Sequence, residues 1–131
     1  MSLLKSEQII DLEGACKQIT SSDGIRFCGI INNKGRLIAG GFKMGIIPHE
    51  NDEHREMLYM ELALDLSMRK EFDNSLGRIK SITSKRNNVN LISIPFDQNL
   101  ILISTEPYKD EDEVTLLANL VFRLGVNEKF V

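Results

Sequence analysis

Three features of the 131-residue sequence predict an α+β fold with the element order αββαβββα. Apolar residues recur at helical spacing in three stretches, and five short runs suited to strands lie between them, divided by turn residues. Two of those runs, Leu91-Ile92-Ser93-Ile94 and Leu100-Ile101-Leu102-Ile103, are almost continuously apolar, as strands covered on both faces are. Helices are therefore expected on both sides of the sheet.

The first helix is expected over residues 3–20, where Leu4, Ile9, Leu12, Ala15, Cys16 and Ile19 share one face. Ser21, Ser22, Asp23 and Gly24 break that pattern, and residues 25–32 read as a strand. Asn32-Asn33-Lys34-Gly35 tolerates positive φ and joins this strand to residues 37–42 as a hairpin. A longer connection, residues 43–51, contains Gly45 and Pro48. The central helix follows over residues 52–72, opened by Asp52 and Glu53 and closed by Arg69 and Lys70, as the helix dipole favours. Strands are expected over residues 77–84, 89–94 and 100–105, separated by Arg86-Asn87-Asn88 and by Pro95-Phe96-Asp97-Gln98-Asn99; a meander is the simplest arrangement. Asp110 and Glu113 have capping-box-like spacing before a last helix whose core face is Val114, Leu117, Ala118 and Val121. Gly125 is placed to end that helix. With no repeat, low-complexity segment or linker, residues 1–131 read as one domain.

The central helix carries the strongest functional signal because it has two apolar stripes. Met57, Met60, Leu64 and Met68 form one, and Leu58, Leu62 and Leu66 form another about 160° away. Glu61 and Asp65 separate them on one side, so the helix is not uniformly apolar. One small domain readily covers a single stripe. The leucine stripe is expected to meet another chain, with the methionines facing the core. Its rival is a leucine stripe covered by the chain's own loop, particularly Ile46 and Ile47.

Apolar residues make up 42 % of the chain, enough for a core without staples. Cys16 and Cys28 have no close spacing motif and read as small core hydrophobes. No signal peptide precedes the fold and no run approaches a membrane span, so the cytoplasm is the expected location and no membrane is expected as a partner. Net charge −3 and pI near 5.4 argue against a dedicated nucleic-acid binder. Arg78, Lys80, Lys85 and Arg86 form a local basic group on the third strand, where charge at a sheet edge also discourages stray pairing.

No constellation supports catalysis. His49-Glu50-Asn51-Asp52-Glu53-His54 lacks the i, i+4 histidine pair of a helical metal motif and reads as a solvated first turn, so no metal or other cofactor is expected. Gly40, Gly41 and Gly45 do not lead into a helix with phosphate-loop spacing, so the chain is not read as a GTPase. No Gly-x-Ser-x-Gly elbow or cysteine–histidine pairing supplies a nucleophile.

The order helix, hairpin, long central helix, three-strand meander and final helix resembles the roadblock family, the dynein light-chain type of fold related to longin and profilin domains. Ile30-Ile31-Asn32-Asn33-Lys34-Gly35 resembles that family's first hairpin, and Asn99-Leu100-Ile101-Leu102-Ile103 its last strand. Ser67-Met68-Arg69-Lys70-Glu71-Phe72 and Ile92-Ser93-Ile94-Pro95 are similar to uncharacterised archaeal proteins of the same broad group. The resemblance implies a five-stranded antiparallel sheet with the central helix on one face and the terminal helices on the other. It implies dimers made through the central helix and adjacent edge strand, here Leu58, Leu62, Leu66, Arg78 and Lys80. It also implies a non-enzymatic interaction or scaffold module that regulates a small GTPase. The alternative is a profilin-like sensory domain that binds a small ligand or metal through residues 43–54, with Met44, Ile46 and Ile47 at the pocket.

Overall fold

The computed structural model describes the backbone of residues 6–124 and the side chains from Asp11 onward. Gly125, the side chains of Leu4 and Ile9, and the expected helix start at residue 3 lie outside the described residues. Helix α1 (Ser6–Thr20) leads to strands β1 (Ile25–Ile31) and β2 (Leu37–Phe42), then to helix α2 (Asp52–Arg69). One 3-10 turn (Lys70–Phe72) and a short helix, α3 (Asp73–Leu76), follow before β3 (Ile82–Lys85), β4 (Asn90–Phe96), β5 (Asn99–Thr105) and helix α4 (Glu111–Val121). The sheet has five strands in the order β2-β1-β5-β4-β3, with every neighbouring pair antiparallel.

Alternation along the central strands sends side chains into two separate cores. On one face, Cys16 and Ile19 of α1 and Val114 and Ala118 of α4 meet Cys28, Ile30, Ile92, Ile94, Ile101 and Ile103. On the other, Tyr59, Ala63 and Leu66 of α2 meet Phe27, Ile31, Leu91, Leu100 and Leu102. The near-continuous apolar runs therefore mark strands with helices over both faces, as expected. Both cysteines are free and buried, as small core hydrophobes are. Their contact, followed by burial, raises the Cys28 thiol well above its ordinary range.

The first hairpin is closed by its own side chains: Asn32 Oδ1 accepts from the Lys34 and Arg36 N–H groups at 2.9 and 3.0 Å. Gly35 follows at φ +80°, where a Cβ would lie 2.6 Å from the Met60 Cα. The turn thus presses on the flank of α2, and only glycine permits that approach.

The third strand begins later than expected, and Pro95 supplies the reason. The Arg86 N–H donates to the Val89 carbonyl, and the register pairs Ser84 with Leu91 and Ile82 with Ser93. One further step would pair Lys80 with Pro95, which has no N–H to donate. The ladder stops at Ile82, while residues 73–76 add one helical turn ended by Gly77 at φ +87°.

Candidate interaction surface and adjoining cleft

Helix α2 is N-capped by Asn51, whose side chain accepts from the His54 N–H at 2.8 Å. Arg55 then ties the first turn to what precedes it, reaching Asp52 at 2.9 Å and Glu50 at 3.2 Å while lying 5.2 Å from the Phe42 ring centroid. These contacts fix the rotation of α2 over the sheet.

That rotation reverses the expected roles of the two stripes. Leu66 is only 4 % exposed, and Leu58 and Leu62 pack half-buried against the same core as Leu91 and Leu102. The leucines are covered by the chain's own sheet, which corrects both their assignment to a dimer interface and the rival idea that the 43–51 loop covers them. Met57, Met60, Leu64 and Met68 instead face outward, each between 51 and 61 % exposed. The missed signal was Tyr59 and Ala63. Adding them to the leucines widens that apolar face to about 140°, against about 80° for the methionine stripe, and a helix turns its wider apolar face inward.

Of the sheet's two edges, β2 is partly closed. Its Gly40 N–H donates to Glu13 Oε1 of α1 at 2.8 Å, so one edge donor is occupied from within the chain. At the β3 edge, the register set by Arg86 and Val89 turns the N–H groups of Thr83 and Lys85 outward. Their side chains hold α4: Lys85 Nζ lies 3.4 Å from Glu111 Oε1, and a hydrogen bond from Thr83, then the Lys85 charge, lowers the Glu111 pKa. Arg78 and Lys80 are exposed but precede the strand, so they flank the edge.

The 43–51 loop is tied down. Arg26 is buried, with Nη1 3.2 Å from Glu106 Oε2 and Nη2 donating to the Ile47 carbonyl at 3.0 Å. The Lys43 backbone N–H and Nζ donate to the carbonyls of Arg26 and Ser22 at 2.8 and 2.9 Å. Met44 and Ile47 are left 98 and 83 % exposed and Ile46 half-buried, and none of them borders the cleft beside α2. The loop's contribution to that cleft, of about 630 Å³ between α2, the β3–β4 turn and the sheet, is His49 and Glu50. Among the described residues, no three His, Cys, Asp or Glu side chains gather as a metal site, and no helix is long and apolar enough to cross a membrane.

Tyr59 forms part of this cleft's wall and stands beside Phe27, with ring centroids 6.0 Å apart. Burial pushes its phenol up to about 12; Arg55 opposes this and Glu50 adds to it. A raised folded-state pKa favours the protonated fold, so this contribution is complete below pH 10 and is lost as pH rises from 10 to about 12. Urea unfolding should show a decline of about 1–2 kcal/mol across that window, the partial exposure of the phenol to solvent reducing the full effect. Tyr59→Phe should remove that part of the decline.

A family profile matches residues 5–129, nearly the whole chain. The chain belongs to DUF6659, a family of unknown function. No curated protein matches this DUF6659 member. Among solved structures, it is similar to the gliding protein MglB from Thermus thermophilus, with TM-score 0.73 and 13 % identity over 92 % of this chain and 89 % of that one. It is similar to a Roadblock/LC7 domain from Streptomyces avermitilis, with TM-score 0.67 and 6 % identity over 92 and 99 % of the two chains. Schizosaccharomyces pombe profilin matches at TM-score 0.60 and 11 % identity over 89 and 98 %. At these identities the likeness establishes the fold, which is the roadblock and profilin-like α+β architecture. These comparisons give the archaeal likeness no support.

Proposed function

We propose that this DUF6659 chain is a non-enzymatic interaction module that self-associates through the outer face of α2 and the adjacent β3 edge. The observation that carries the reading is the exposed stripe Met57, Met60, Leu64 and Met68, four large apolar residues on one face of an 18-residue helix. Full burial of such a side chain contributes about 1.5–3 kcal/mol, and each of these has about half of that still to gain. A symmetric pair doubles the number of residues contributing, which competes with the cost of association. Methionines also repack easily against an irregular partner surface.

The edge strands support the same geometry. Glu13 occupies a donor on the β2 edge, while Thr83 and Lys85 direct theirs outward at β3. Strand pairing there would extend the sheet across two copies and set their α2 helices side by side, in keeping with the roadblock likeness. The further partner class we infer is a small GTPase, and that inference rests on the fold likeness alone.

Amide hydrogen exchange tests the edge directly. Protection at Thr83 and Lys85 should rise with protein concentration, while Ile101 and Ile103 of the central strand remain protected throughout. Exchange at Thr83 and Lys85 that is independent of concentration in a self-associated sample would remove β3 from the interface.

A further inference from the structure

The cleft beside α2 shares Met57 with the self-association face, and the rest of its lining has a chemistry that self-association does not use. Its apolar side is formed by half-buried Phe42, Leu58 and Val89, with the core residues Phe27, Leu91 and Leu102 less than a tenth exposed, and its walls carry three guanidinium groups against two carboxylates. Two of the cations are already held: Arg26 by Glu106 and the Ile47 carbonyl, and Arg55 by Asp52 and Glu50. Arg86, on the β3–β4 turn, makes no ion pair among the described residues. The other lining carboxylate, Glu61, is exposed on α2.

We propose that this cleft binds a small organic carboxylate with an aromatic body, the ring lying against the half-buried Phe42, Leu58 and Val89 and the carboxylate meeting Arg86. A volume of about 630 Å³ is within the range of small-molecule sites, and the lining mixes apolar with polar and charged side chains. Arginine suits the headgroup because its planar fork donates two parallel hydrogen bonds to one carboxylate. The neighbouring Asn87 and Asn88 side chains supply further neutral donors at the same wall. Tyr59 adds a hydroxyl that stays protonated well above neutral pH. Arg26 and Arg55 are braced by their own carboxylate partners, so the polar wall is ordered before a ligand arrives, and Arg86 supplies its unpaired positive charge.

The probes are 2-naphthoate, the uncharged 2-naphthamide and cationic 2-naphthylmethylamine, each titrated into the full chain and followed by amide chemical shifts. Naphthoate should bind about tenfold or more tightly than naphthamide, the equivalent of one charge-assisted contact. Its shifts should centre on Asn88, Val89, Leu91 and Ser104. Arg86→Gln, at an exposed turn position, should abolish most of the naphthoate advantage while leaving naphthamide binding unchanged; Arg69→Gln, at the far end of α2, should change neither. Equal binding of acid, amide and amine would overturn the proposal. So would shifts confined to Met60 and Leu64, an unaltered preference in Arg86→Gln, or no naphthoate binding at about 10 mM, the weak limit for a specific small ligand.

Discussion

Leu64→Asp is expected to turn a self-associating chain into a folded monomer, whereas Leu62→Asp, two residues away, is expected to weaken the fold itself. Leu64 points outward from α2 and is 61 % exposed, so a charge there costs the single chain little. In a symmetric pair the same change removes one apolar contact from each copy and places a carboxylate in the contact. With about half of the 1.5–3 kcal/mol per buried leucine still to gain at Leu64, two copies should weaken association by roughly 10–10²-fold. Leu62 lies half-buried against the core containing Leu91, Leu100 and Leu102. An aspartate there loses packing and buries an unpaired polar group, costing about 2–4 kcal/mol. Sedimentation velocity and thermal melts on both variants separate the outcomes. If Leu62→Asp gave the stable monomer and Leu64→Asp the unstable chain, the orientation of α2 over the sheet would be wrong.

Gly40→Ala is the second large effect, and it acts on folding alone. Gly40 has φ +87°, and a Cβ there would lie 2.1 Å from the Cys28 carbonyl oxygen, 2.8 Å from the Gly29 Cα and 2.9 Å from Cys16 Sγ. Two of those neighbours are backbone in the adjoining strand, so relief requires β1 and β2 to separate. The strained φ and the clash together should cost about 3–5 kcal/mol in urea unfolding. Gly41→Ala provides the comparison: its Cβ would meet nothing within 4 Å. That change should stay within about 1 kcal/mol. Equal losses at the two positions would show that the close approach at Gly40 has no energetic weight.

The order of elements was legible because each carries a local cause. The helical periodicity of α1 and α4, the Asn32–Gly35 turn, the Asn51 cap and the apolar runs of β4 and β5 act within a few residues of themselves. Two features depended on partners distant in sequence. The start of β3 is decided by Pro95 on the facing strand, which cannot complete a bond with Lys80. The facing of α2 is decided by total apolar width, and Tyr59 lies about 20° from Leu66 around the helix, so the aromatic ring belongs with the leucines.

The site was less legible than the fold. Recognising that α2 has two apolar sides was sufficient to predict a surface for association, and insufficient to say which side remained outside. Met44, Ile46 and Ile47 read as pocket residues because they are apolar in a long loop, but the Arg26 guanidinium fixes that loop through the Ile47 carbonyl and leaves Met44 and Ile47 at the surface. The cleft gathers Arg26, Arg55, Arg86 and Ser104 from four separated segments. No spacing along the chain links them, because antiparallel pairing across β1, β5, β4 and β3 is what brings them to one end of the sheet.

The central claim is that the outer face of α2 is covered by a second copy of the chain. Its most direct test is the mass of the purified chain by light scattering, measured from micromolar to hundreds of micromolar concentration. A mass of twice 14.8 kDa, reverting to 14.8 kDa in Leu64→Asp, is the predicted result. A mass of 14.8 kDa at every concentration would contradict it.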